Sequence, residues 1–339
     1  MLKAADIQNE IAKGRFTPHT ALTNMALAYY QDATNYFAKG IFPTVPVSLS
    51  SDNYYVFDKE DLLRDNWKRK PAYGKVSPVP VSEHTEQYAC QVDQMIMGID
   101  QIRQTDLTRR QAPATADPRV QRTRTIAEQL NIHQDRIFAQ KFFKTGIWGQ
   151  DMKGSTAASE GSTFIKFSDS NADPIKFIDE EKSKMLASTG RMPNRLALGN
   201  KVFNALKNSE AILDHVKYGG STANPATVSL QVLAELFGVD QVVVLNSIMN
   251  KGAMGADAKM GFIADDSSFL LAYATSNPSI NEPSAGYIFT WDMLGDGQLL
   301  PIIQNPGEPG THTEYIEGLV ASDMRATAKD LGYFYSEAV

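Results

Sequence analysis

The stretch from Arg191 to Leu245 constrains the fold more than any other. It reads RMPNRLALGNKVFNALKNSEAILDHVKYGG and, after a short gap, LAELFGVDQVVVL. Arg195 to Leu198 (RLAL) predicts a short buried strand, and Gly199 and Asn200 turn it into a helix bearing Val202, Phe203 and Leu206. Leu230, Leu233, Leu236 and Phe237 predict another helix, closed by Gly238, and Gln241 to Leu245 the next strand. Strand and helix alternating at this spacing indicate an α/β layer. The stretch holds no nucleophile elbow, no phosphate loop and no metal-ligand spacing.

More strands are expected downstream. Phe262 to Ala274 is an apolar strand region, Gly286 to Asp292 (GYIFTWD) adds another, and Glu314 to Leu319 with Ala328 to Tyr335 closes the chain. Upstream, Asp173 is placed to cap a helix whose first residue is Pro174. That helix, Asp173 to Ser188, turns Ile175, Ile178, Met185 and Leu186 inward, and Asp179, Glu180, Glu181 and Lys182 make a solvated face.

Two motifs come close to known sites and fail on mechanism. Asp169, Asn171 and Asp173, with Glu180 at the twelfth position, have EF-hand spacing, but the sixth position is Pro174, whose φ is fixed where a sharp turn needs glycine. Gly149, Gly154, Ser155 and Thr156 have the outline of a P-loop, but Lys153 precedes the second glycine instead of following it. With no strand leading in and no helix following, GQDMKGSTAASEGST is expected to be a flexible connection.

From Pro118 to about Thr145 no proline or glycine interrupts the chain. Asp117 can cap this segment, Pro118 suits its first turn, and Gly146 ends it. Ile126, Leu130, Ile137, Phe138 and Phe142 share one face; charged residues occupy the others. About 28 residues at 1.5 Å each predict a rod on the order of 40 Å long. It lacks the sustained heptads of a coiled coil. Before it, QAPATADP is a linker.

Residues 50 to 100 predict two strands around a polar tip. Asn53 to Lys59 is rich in aromatic and β-branched residues, and Tyr88, Cys90 and Val92 alternate with polar positions. Between them lie Trp67, Lys68, Arg69 and Lys70, with few apolar neighbours in sequence. A hairpin this long is marginal alone and needs a partner surface. The run WKRK also fits a nucleic-acid patch, but it is short and follows Asp61 and Asp65, so a solvated loop or a contact to acidic groups of a neighbour is the simpler reading. Nearer the N-terminus, Leu22, Met25, Ala26 and Tyr29, then Ala33 and Phe37, recur at helical spacing before the proline-spaced IFPTVPVSL forces an extended path. An arm lying across a neighbour and an ordinary helix packed on its own core both fit.

Composition narrows the classes. The formal charge of −6, from 39 acidic and 33 basic side chains, argues against a surface that grips nucleic acid throughout. Apolar runs fall short of the roughly 20 residues that cross a bilayer, and MLKAADIQNE has no secretory core. Cys90 is the single cysteine, so no disulfide forms within the chain and a reducing site of folding is expected. The five histidines, His19, His84, His133, His215 and His312, sit at no recognised ligand spacing, and Asp214 and His215 are adjacent, hence on different helix faces. No metal, cofactor or catalytic residue is expected, although a Ser-His-Asp triad assembles in space and leaves no local signature.

In their order along the chain, the hairpin, the long charged helix and the 191–245 stretch resemble the tailed-phage major capsid proteins of the HK97-fold family. The resemblance implies an α+β HK97-like fold with an N-terminal arm (1–49), an E-loop hairpin (50–100), a P domain with a spine helix (101–169), an α/β A domain (170–310) and a C-terminal return to the P domain (311–339). It implies that the E-loop reaches over an adjacent subunit, which makes Trp67, Lys68, Arg69 and Lys70 the expected intersubunit contact. It further implies a homo-oligomer of hexamers and pentamers, self-assembled into an icosahedral virion shell in the host cytoplasm. The shell encloses double-stranded DNA without sequence-specific binding, with separate scaffold and portal proteins and no membrane. Some family members cross-link through a Lys and an Asn. Lys68, Lys70 or Lys75 would supply the amine, but no partners match. The rivals are an encapsulin-like cellular shell and a soluble hydrolase or binding protein that forms no shell.

Overall fold

The computed structural model describes residues 31–57, 63–79, 83–109, 117–159, 161–219, 228–253, 255–278, 282–292, 300, 302–307 and 310–339. The helix expected around Leu22 to Tyr29, most of the QAPATADP linker and the loop after Gly219 lie outside the described residues.

The strands in chain order are β1 Thr44–Val47, β2 Ser51–Phe57, β3 Glu83–Ala89, β4 Gln91–Asp100, β5 Gln150–Ser155, β6 Thr163–Ile165, β7 Arg195–Leu198, β8 Gln241–Val244, β9 Ile248–Asn250, β10 Met260–Phe262, β11 Phe269–Ala272, β12 Tyr287–Trp291, β13 Ile302–Pro306, β14 Thr313–Arg325 and β15 Gly332–Ser336. The helices are α1 Ala38–Ile41, α2 Gln101–Arg109, α3 Pro118–Lys141, α4 Pro174–Thr189, α5 Asn200–Lys207, α6 Glu210–Gly219 and α7 Leu230–Phe237. Two compact units divide them: a smaller one with residues 93–130 and 300–320, and a larger one with 32–92, 131–299 and 321–339.

The larger unit is built on a six-stranded sheet in the order β6-β5-β15-β11-β7-β8. Beside the expected β7 and β8, which pair in parallel, β11 runs antiparallel to both β7 and β15. Two of these strands, β5 and β15, lie outside residues 170–310. Strands β7, β11 and β15 are buried on both faces. Leu196, Leu198, Phe269, Leu271, Tyr333 and Tyr335 join the core under α4, α5 and α7, whereas Ala197, Leu270, Ala272 and Phe334 pack against α1 and the end of α3. Burial on two sides is why these strands read as continuous apolar runs rather than alternations. Phe269 stacks on Tyr335 with centroids 4.4 Å apart, and Phe164, Phe167 and Phe177 close the cluster edgewise and face-on. A second sheet in this unit pairs β1 in parallel with β12 and β12 antiparallel with the end of β14.

In the smaller unit β13 pairs antiparallel with the first part of β14, from Ile302↔Gly318 to Pro306↔Glu314, and β4 also pairs with β14. Ile99, Ile126 and Ile316 form its buried cluster, flanked by Met95 and Met97. Arg119 grips the buried Glu314 with two hydrogen bonds of 2.9 and 2.8 Å, a bidentate geometry that holds the start of α3 to β14.

Several expectations need correction. Helix α3 ends at Lys141, not Thr145, which makes it about 36 Å long; Phe142 and Phe143 leave the helix to enter the core. The expected flexible connection after Gly149 contains β5, a strand paired in parallel with β15 and β6. A Cβ on Gly154 would lie 1.9 Å from the Glu337 carbonyl oxygen, so this glycine serves close strand packing. Asp173 does cap α4, accepting from the Lys176 amide at 3.1 Å. The presumed solvated face of α4 is nonetheless partly interior. Glu181 is buried and accepts from the Tyr335 hydroxyl at 2.8 Å and from Lys184 at 2.6 Å; Lys182 is buried and donates to the Phe237 carbonyl at the end of α7. Leu186 and Leu230, expected inside, are exposed. The strand expected through Tyr88, Cys90 and Val92 breaks at Cys90: Tyr88 is buried on β3, and Val92 is exposed on β4.

Candidate intersubunit surface

Strands β2 and β3 form an antiparallel hairpin in register from Ser51↔Ala89 to Phe57↔Glu83. Its base is anchored by aromatic packing. Tyr54 and Tyr88 are buried against Phe289 of β12, with centroids 5.8 and 4.8 Å away. The Tyr54 hydroxyl donates to Glu86 at 2.5 Å, and burial beside that carboxylate pushes its pKa up. The Ala89 amide donates to Asp323 at 3.0 Å, and Arg325 holds Asp323 at 2.7 Å. Cys90 lies beside this base, where burial pushes its thiol up to about 11, so it stays protonated at neutral pH.

Residues 63–79, between the two strands in sequence, have no regular secondary structure. Two local hydrogen bonds shape them. Asp65 accepts from the Trp67 amide at 3.1 Å, and the Gly74 amide donates to the Pro71 carbonyl at 3.1 Å, closing a turn in which Tyr73 takes a left-handed φ of 62°. Proline, which donates no amide hydrogen, explains the lack of a ladder at positions 71 and 78. The four sequence-predicted residues are brought together on this one exposed segment. Trp67 is 94% exposed, and Lys68, Arg69 and Lys70 are exposed beside it. Tyr73, which the sequence reading did not single out, is fully exposed, and Leu63 is exposed too. The segment carries five basic side chains against one acidic on a chain of net charge −6. A cationic, aromatic tip on an acidic body is complementary to another copy of that body. Two exposed large aromatics within seven residues are unusual for surface that stays in water.

The smaller unit presents apolar groups of its own: Ile96 on β4, Ile102 on α2 and Val120 on α3 are all more than half exposed. The MIMGID run around Ile96 looks like core in sequence, because nothing local reveals which side of β4 is covered.

Other sequence candidates resolve into local structure. Asp169 accepts from Asn171 and Asp173 caps α4, so the calcium-like carboxylates act as turn and helix caps. Among the described residues no group of three or more His, Cys, Asp or Glu is placed to hold a metal ion. His215 borders an open cleft of about 610 Å³, lined also by Asp173, Asp179, Glu180 and Lys184, in which Asp179 pairs with Lys182 at 3.3 Å and Glu180 with Lys176 at 3.9 Å. Among the described residues no helix is long and apolar enough to cross a membrane.

No protein-family profile and no curated protein matches this chain. Solved structures do. A phage-related protein from Bordetella bronchiseptica is 21% identical, with 91% of this chain and 94% of that one covered at a TM-score of 0.66. The mature capsid of bacteriophage PhiM1 is 14% identical, with coverage of 91% and 89% and a TM-score of 0.52. The holo-SrpI encapsulin complex from Synechococcus elongatus is 12% identical, with 94% of each chain covered and a TM-score of 0.51. At these identities the likeness establishes the fold, and the chain has the α+β HK97 fold of phage capsids and encapsulins.

Proposed function

We propose that this chain is a structural, non-enzymatic subunit that self-assembles into a closed shell, namely the icosahedral head of a tailed bacteriophage. The observation that carries this reading is a fold shared over about nine-tenths of its length with a mature phage capsid. The exposed tip at Trp67 and Tyr73 supports it, because a subunit repeated by symmetry needs a surface that the isolated chain leaves uncovered. On this reading residues 1–49 are the arm, 50–100 the E-loop, 101–169 the P domain, 170–310 the A domain and 311–339 the return to the P domain. The loop residues Trp67, Lys68, Arg69 and Lys70 then contact a neighbouring subunit. Hexamers and pentamers enclose double-stranded DNA through the shell's shape, with scaffold and portal supplied by separate proteins.

Encapsulin likeness favours a second reading, a cellular shell holding an enzyme. Electron microscopy of the purified chain, alone and with a scaffold protein, tests the first point: rings, tubes or shells are expected, and a stable 37.4 kDa monomer under all conditions overturns it. Particles recovered from the native source then separate the readings, since a phage head contains DNA and an encapsulin contains cargo protein.

A further inference from the structure

The larger unit contains a buried carboxyl group arranged for its protonated form. Helix α1 begins at Ala38, and its N-cap residue Phe37 supplies no side-chain cap. The cap comes instead from Asp135 on α3. Its Oδ1 accepts from the Phe37 amide at 3.2 Å and from the Ala38 amide at 2.9 Å, across nearly a hundred residues of sequence. Asp135 is 1% exposed, and its second oxygen, Oδ2, has no hydrogen-bond partner. Ser247, completely buried beside the carboxyl, likewise has an unpartnered Oγ.

Buried polar atoms without partners are uncommon, and two that neighbour each other call for one explanation. A proton on Oδ2 supplies it. The neutral acid donates from Oδ2 to Ser247 Oγ, and Oδ1 remains a carbonyl oxygen that accepts from both amides. A charged carboxylate here has no cation in direct contact. The ionisable group acting on it is Lys39 of α1, whose Nζ donates to Asn131 at 3.4 Å. On α3, Asn131 and Gln134 are neutral, and Arg136 and His133 bond to each other at 3.3 Å. The segment that carries Ser247, residues 245–248, is Leu-Asn-Ser-Ile.

We propose that Asp135 and Ser247 form a buried proton-binding site that clamps Phe37–Ile41 onto α3 more firmly in mildly acidic solution than in neutral solution. Burial raises the Asp135 pKa from its usual 3.8 to about 6, against the opposing pull of the two amides and Lys39. The folded chain therefore binds this proton more tightly than the unfolded chain. The stabilisation is complete below the unfolded value and is lost as pH rises through about 6. Acid here tightens the structure, the reverse of the usual effect on a paired aspartate.

Urea unfolding of the full-length, unassembled subunit at about pH 5 and about pH 7.5 tests the site. The folding equilibrium constant of the parent should gain roughly tenfold relative to Asp135→Asn on acidification across that range. The amide keeps the Oδ1 acceptor and donates to Ser247, so the variant should lack the gain. Asp135→Ala should be weaker at both pH values, because α1 loses its cap. Parallel pH profiles for the parent and Asp135→Asn overturn the proposal. If Asp135→Asn does not fold, infrared spectroscopy of the parent and Ser247→Ala decides. A protonated-carboxyl band should appear in the folded parent near pH 6 and move to lower pH without the serine acceptor; identical band titrations in the two proteins overturn it.

Discussion

Replacing Trp67 with Ala separates a contact between subunits from one within a subunit. Trp67 is 94% exposed, so truncating it removes almost no buried surface from the free chain. The cost to the isolated subunit should stay within about 0.5 kcal/mol. If the ring fills a site on a neighbour, its loss should cost about 1–4 kcal/mol per contact, as at other interface anchors. At 25 °C that range corresponds to a rise of about fivefold to about a thousandfold in the concentration needed for assembly. Symmetry makes the loss recur at every equivalent contact. Reversing Lys68, Arg69 and Lys70 to Glu should instead slow assembly and weaken its salt dependence, since exposed charges steer association more than they hold it. The assay is light scattering against protein concentration at two ionic strengths, with circular dichroism melts of unassembled subunits alongside. Unchanged assembly in both variants would refute the intersubunit role. A large loss of melting temperature in the free subunit would show that the loop packs on its own chain.

Tyr335→Phe keeps the ring stacked on Phe269 but deletes the hydroxyl that donates to buried Glu181 at 2.8 Å. It should destabilise the free subunit by about 1–3 kcal/mol in urea unfolding; a change near zero would mean that Glu181 finds another donor. Hydrogen exchange on free subunits should protect Leu196–Leu198 and Val242–Val244 strongly, because their amides lie in a sheet buried on both faces. Residues 64–79, which lack ladder hydrogen bonds, should exchange fast and then slow on assembly. Equal protection of these segments in the free subunit would contradict the division between a stable core and a loop that binds neighbours.

Local chemistry made much of this fold legible in the residues alone. Asp173 before Pro174 announces the start of α4, because a capping carboxylate and a pre-set φ act within one turn. RLAL and QVVV announce strands, because sheets covered on both faces demand unbroken apolar runs. The exposed tip at Trp67 to Lys70 was legible for the opposite reason: proline and charge deny the segment both a ladder and a core. Tertiary structure decided whatever depends on partners distant in sequence. QDMKGS becomes β5 because β15, some 180 residues later, offers it an edge. Glu181 and Lys182 look solvated beside Asp179 and Glu180, yet Tyr335 and the end of α7 draw them inside. Asp135, one charge among many on α3, caps a helix nearly a hundred residues away and faces Ser247. Spacing along the chain records which side chains share a face; it cannot record what that face meets, and burial, hydrogen bonding and proton affinity are set by what it meets.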